Sequence, residues 1–100
     1  MDKTAYNIAK QENGKYHGFY KTHNKLSDQE LFKSINSSLA QIDKHKKWID
    51  NPLTKTPDFY NFDKRRQKSL VEVHWPADIN RHNDQIEIIN GILKERGKLS

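Results

Sequence analysis

The sequence predicts an all-α protein, a small bundle of three main helices behind an irregular N-terminal arm. Two long stretches place apolar residues at three- and four-residue steps, the period of a helix buried on one face. Ser27, Asp63 and Pro76 stand where helix starts need them. The connectors between the helical stretches are short, as in a bundle. One hundred residues make one domain, 1–100, with an arm over 1–26 and a helical core over 27–97.

The arm shows no sustained periodicity. Asn13-Gly14 is a turn signal, and Tyr6, Tyr16, Phe19 and Tyr20 are spread through a polar, basic background. A short helix near residues 3–11 is expected there. The aromatics either dock on the core or offer stacking faces to bases.

The first main helix, 27–50, opens on Ser27-Asp28-Gln29-Glu30, a capping box, with Leu26 and Leu31 placed as a hydrophobic staple. Leu31, Ile35, Ser38, Ile42, His45 and Ile49 share its apolar face. Pro52 disfavours helix at Asn51 and ends it. A connector over 51–62 carries Phe59, Tyr60 and Phe62, expected to cap an open end of the core. Asp63 caps a second helix over 64–74. Pro76 suits the first position of a third helix, 77–96, whose seam is Ile79, His82, Ile86, Ile89 and Leu93, widened by Ile88 and Ile92. Arg96-Gly97 is a normal helix end. The first and third helices are expected antiparallel, with Ile35, Ile42, Ile49, Ile79, Ile86, Ile89 and Leu93 in one core.

Composition excludes several classes. Hydrophobic residues make up 33% and charged residues 31%, so the core is small. No apolar run approaches the roughly 18 residues of a membrane span. There is no cysteine for a disulfide or a thiolate metal site. Met-Asp-Lys-Thr-Ala has no apolar h-region, so no signal peptide is expected. Lys and Arg number 18 against 13 Asp and Glu, a net charge of +5. The excess gathers in Lys44, Lys46, Lys47 and in Lys64, Arg65, Arg66, Lys68. Such clusters draw phosphate backbones, attract an acidic protein, or keep a surface solvated. Cations at the start of the second helix oppose its dipole, which suggests that the charge is wanted there.

His45 and His82 fall on the seams of two helices and can face the same interior layer. Two imidazoles can divide the acid and base work of cleavage through a ribose 2′-OH, or they can be satisfied core histidines. A zinc site of His45, His74 and His82 lacks ligand spacing. Ser37 and Ser38 have no nucleophile elbow, and no glycine-rich phosphate loop is present. Tyr16 to His23 places two imidazoles and Lys21 beside Gly18, in a stretch able to approach a ligand closely.

Three runs resemble a known class. Gln41-Ile42-Asp43-Lys44-His45-Lys46-Lys47-Trp48-Ile49-Asp50-Asn51-Pro52 is one. Asp63-Lys64-Arg65-Arg66-Gln67, leading to Trp75-Pro76-Ala77-Asp78-Ile79, is the second. Gln85 to Arg96 is the third. Together, over about residues 15–97, they resemble the C-terminal toxin domains of bacterial polymorphic toxins, the tips of Rhs-type and contact-dependent growth inhibition proteins. The resemblance implies a toxic effector, commonly a nuclease, delivered as part of a larger secreted or cell-surface protein. It would act in the target-cell cytoplasm and be neutralised by a cognate, often acidic, immunity protein. No catalytic set comes with it. The chemistry expected from the residues is a metal-independent ribonuclease, without cofactor; tRNA or rRNA as its target is what the resemblance implies. His17 and His45 are its acid–base candidates, and Lys47, Arg65 and Arg66 would hold phosphate. The alternative is a non-enzymatic basic helical module for nucleic acid or an acidic protein. An immunity protein is a weaker third reading, because its charge would have the wrong sign for masking a basic nuclease.

Overall fold

A computed structural model describes residues 4–99, and all regular structure among them is helical. Five α-helices follow in order: α1 (Ala5–Lys10), α2 (His17–His23), α3 (Asp28–Asp50), α4 (Lys64–Ser69) and α5 (Trp75–Glu95). Short 3-10 turns at Pro52–Thr54 and Phe59–Asn61 fill the connector, and a π-helical stretch, Leu70–His74, lies between α4 and α5. The fold is all-α. No helix among the described residues is long and apolar enough to cross a membrane.

The chain forms two compact units. One runs up to Ser38 and resumes at Asn83; the other is Leu39–His82. Both α3 and α5 contribute residues to each.

In the first unit the buried cluster is Ala9, Leu31, Ile88, Ile89, Ile92 and Leu93, with Tyr6, Tyr16, Phe19 and Tyr20 packed on it. The arm aromatics therefore dock. The short helix expected near residues 3–11 is α1, whereas α2 stands where an irregular chain was expected; the two helices pack against each other. Helices of six and seven residues are too short to show a period and are held by packing rather than propensity. Thr4 caps α1 by accepting the Asn7 N–H (3.1 Å). Gly14 turns the chain back so tightly that a Cβ there would strike the Ile8 carbonyl. Tyr16 enters α2 with φ 66°, a left-handed conformation uncommon for a bulky residue.

The capping box of α3 forms with one change. Ser27 Oγ accepts the Glu30 N–H (3.1 Å) and donates to Glu30 Oε1 (3.0 Å), so the Glu grips the hydroxyl. The end of α5 is a Schellman turn: Gly97 (φ 75°) donates to Lys94 O (3.0 Å), and Lys98 to Leu93 O (2.9 Å).

The second unit buries Ile42, His45, Pro52, Phe59 and Trp75. Trp48 meets Trp75 at 6.0 Å, while His45 meets His82 at 6.0 Å. Numbers rise along α3 as they fall along α5, so the two helices are antiparallel in this unit.

The expected single core is thus distributed between the units, and its α5 members shift. Ile88 and Ile92 are fully buried beside Ile89 and Leu93, whereas Ile79 and Ile86 are half-buried. Helices α1 and α2 claim a face of α5 that periodicity alone placed at the edge of the seam.

Trp75-Pro76 changes the helix pitch instead of breaking the chain. Ser69, Leu70 and Trp75 all keep right-handed helical angles. Pro76 has no N–H to donate, and its ring would crowd a carbonyl one turn back. The wider π turn just before it makes room for the ring.

Candidate functional site

An open cleft of about 390 Å³ lies wholly in the second unit. Ile49 and Asp50, from the last turn of α3, form one wall with Pro52. A helical face supplies Lys64, Gln67, Lys68, Val71 and Glu72 as a further wall, with 64, 68 and 72 four residues apart. Phe59 and Tyr60 lie between. Phe59 is 3% exposed and stacks on Trp75 (6.2 Å, 27°), so the floor is fixed and apolar. Tyr60 is 62% exposed and stands edge-on to Phe59 (5.1 Å, 88°), with its ring open to a ligand.

Two local devices hold the helical wall in place. Asp63 Oδ1 accepts the Arg66 N–H (2.9 Å) and caps α4. Gln67 Nε2 donates to Phe62 O (2.8 Å) and Tyr60 O (3.4 Å), tying the wall to the connector that bears the aromatic rings. At the rim, Lys68 is loosely paired with Glu72 (3.9 Å). Lys64 and Asp50 make no ion pair among the described residues. The cleft therefore combines a ring for stacking, cations for phosphate, and carboxylates for hydrogen-bond donors.

The cations expected to hold phosphate sit beside this cleft rather than in it. Lys47 pairs with Asp43 (3.1 Å) on an exposed face of α3. Arg66 lays its guanidinium over Phe62, 4.0 Å from the ring centre. Arg65 is exposed with no ion pair among the described residues. Their neighbours Lys64 and Lys68 line the cleft instead, because each step along a helix turns about 100°. Asp50, Tyr60, Gln67 and Glu72 were not singled out as cleft residues. The 64, 68, 72 spacing was the signal that could have found that wall.

His17 and His45 belong to different units, and each ring is engaged within its own. His45 is buried. Its Nδ1 donates to Gln41 O (2.6 Å), and its Nε2 stands 3.3 Å from Asp78 Oδ2. The other Asp78 oxygen meets Arg81 (3.2 Å). Lys44, Lys46 and Lys47, its neighbours in sequence, are exposed, and it is a carboxylate that faces the ring. Both nitrogens face oxygen acceptors, so the ring is a clamp with no nitrogen turned to a substrate.

His17 is half-buried and donates from Nδ1 to Ala9 O (2.7 Å). In a neutral ring that bond selects the tautomer with the proton on Nδ1. His23 stacks on Phe19 (3.7 Å, 21°), donates from Nδ1 to Phe19 O (2.8 Å), and has Ser34 Oγ 3.5 Å from Nε2. Among the described residues no three His, Asp or Glu side chains group at metal-binding spacing.

The perturbed titrations all lie in the first unit. Arg96 donates to Asp28 Oδ1 (2.8 Å), Lys98 lies 3.6 Å from Oδ2, and together they hold the Asp28 carboxyl below the usual range. The Lys10 ammonium donates to Glu95 (2.7 Å), lowering that carboxyl while the lysine itself is raised. Burial pushes the Tyr6 phenol up, and the neighbouring Glu95 adds to the shift. The Lys10–Glu95 pair ties α1 to the end of α5, and the Asp28 pairs tie the start of α3 to the chain just after α5. Compared with protein-family models, with curated proteins and with solved structures, the chain matches none.

Proposed function

We propose that this chain binds single-stranded RNA through the cleft of the second unit, as the toxic effector domain of a polymorphic toxin that a cognate immunity protein neutralises. One observation carries the binding reading: an exposed Tyr60 ring stands beside Lys64 and Lys68 over a buried apolar floor. Single-stranded nucleic acid is held by this combination, since rings stack on bases while cations follow the backbone. Duplex offers no free base face to such a ring.

Binding of a short unstructured RNA, followed by fluorescence anisotropy, tests it. Tyr60→Ala is expected to weaken binding by about 1–3 kcal/mol. Removing Lys64 and Lys68 together is expected to lower the slope of log K against log salt by about 0.7 for each lysine. Equal affinity for wild type and Tyr60→Ala would refute the cleft. Induced expression in bacteria, with and without the neighbouring reading frame, tests the toxin assignment: unimpaired growth in both refutes it.

A ribonuclease reading is favoured by one further observation, made in the first unit and apart from the cleft: His17 donates from Nδ1 to Ala9 O, which in a neutral ring puts the lone pair on Nε2. Such a base can take the proton of a ribose 2′-OH as that oxygen bonds to phosphorus and closes the 2′,3′-cyclic phosphate, while the P–O5′ bond breaks and water protonates the departing 5′ oxygen, without a metal. EDTA-insensitive RNA cleavage that disappears in a folded His17→Ala variant is the expected result. Cleavage that persists in that variant removes His17 from the chemistry.

A further inference from the structure

The two lysines and the tyrosine suit any single strand, but the acids of the cleft do not. A carboxylate beside a polyanion is unfavourable unless it meets a hydrogen-bond donor. Two acids line this cleft, Asp50 and Glu72. Glu72 has a cation within reach, Lys68 at 3.9 Å. Asp50 has none among the described residues. It is also the last residue of α3, where the negative end of the helix dipole disfavours an acid. It is thus exposed, tied up in no ion pair among the described residues, and part of the cleft lining, free to take a donor from a ligand.

An ionised carboxylate only accepts, through two oxygens side by side. Among the bases, guanine alone offers two adjacent donors on its pairing edge, N1–H and the N2 amine. Cytosine and adenine offer one amine next to a bare ring nitrogen, whose lone pair repels the second oxygen. Uracil offers one N–H between two carbonyl oxygens. Single-stranded bases expose this edge to a protein.

We infer that the cleft is selective for guanine, with the base stacked on Tyr60, its N1–H and N2–H2 edge on the Asp50 carboxylate, and the flanking phosphates on Lys64 and Lys68. The inference rests on the RNA-binding reading above and names the nucleotide that it takes. Glu72, held toward Lys68, positions that lysine and does not read the base.

The test uses the full chain and short uridine oligomers carrying one central guanosine, inosine, adenosine or uridine. Wild type is expected to favour guanosine over adenosine and uridine by about tenfold or more, the scale of a good two-bond base contact. Inosine keeps N1–H and loses the amine, so it falls between them. Asp50→Ala is expected to abolish the preference while still binding the all-uridine oligomer, since the base-reading acceptor has gone and Tyr60, Lys64 and Lys68 remain. Glu72→Gln is expected to keep the preference. Wild type that binds all four oligomers equally, or Asp50→Ala that still prefers guanosine, overturns the inference and leaves the RNA-binding reading standing. No binding to any oligomer overturns both.

Discussion

His45 Nε2 and Asp78 Oδ2 stand 3.3 Å apart and join α3 to α5 within the second unit. The Gln41 carbonyl holds the other ring nitrogen, while Arg81 holds the other carboxylate oxygen. A buried ring whose two nitrogens both face oxygen is a structural part. Asp78→Ala is expected to lower unfolding stability by about 1–3 kcal/mol, the loss when a buried polar group is left unmatched. Urea unfolding measures it, and RNA affinity should not change in the folded variant. Undiminished stability would show that the clamp contributes nothing.

Gly91 and Tyr6 are expected to give opposite signs in two backgrounds. A Cβ at Gly91 would overlap the base of the Tyr6 ring. Gly91→Ala therefore destabilises by overpacking, about 1–3 kcal/mol, against a helix-propensity gain of about 1 kcal/mol. In a Tyr6→Ala background the clash is gone and only the gain remains. A double-mutant cycle by urea unfolding reads the reversal.

Acid should weaken the first unit. Asp28, bound by Arg96 and Lys98, and Glu95, bound by Lys10, both have lowered carboxyl pKa values. A carboxyl lowered on folding stabilises above its unfolded value, about 4, and that contribution fades as pH falls through the folded value. The urea midpoint is expected to drop below about pH 4, less steeply in Asp28→Asn. Lys10, raised by Glu95, works the other way: its contribution holds up to about pH 10 and is lost above. A midpoint flat between about pH 5 and 3 would remove the carboxylates from this account.

Ser27→Ala should cost about 1 kcal/mol, because it strips both the N-cap acceptor and the hydroxyl that Glu30 grips. Thermal unfolding followed by circular dichroism is sufficient to measure it.

The long helices were legible because their caps and periods are local. Ser27, Asp63 and Gly97 all act as their residue types suggest. The facing of His45 and His82 was legible for the same reason, two seams read in register. The helix α2 was not, because seven residues entered through a left-handed Tyr16 leave no period to read. The cleft was half legible. The basic run at 64–68 was visible, but which of its members turn inward depends on helix rotation, and Asp50 and Tyr60 reach the cleft only through the fold of the connector. The partner of His45 was not legible, because Asp78 lies 33 positions away in sequence while the adjacent lysines are exposed.

The π stretch at Leu70–His74 has a consequence for chain length. A π turn is in effect one residue more than an α-helix needs over the same rise. Deleting Val73, which is 58% exposed, should return the stretch to α pitch. Pro76 forbids that shortening by itself, since at α pitch its ring would meet the carbonyl four residues back. The proline and the additional residue therefore form a linked pair, each tolerable because of the other. A chain that loses one should keep its fold best when it loses both.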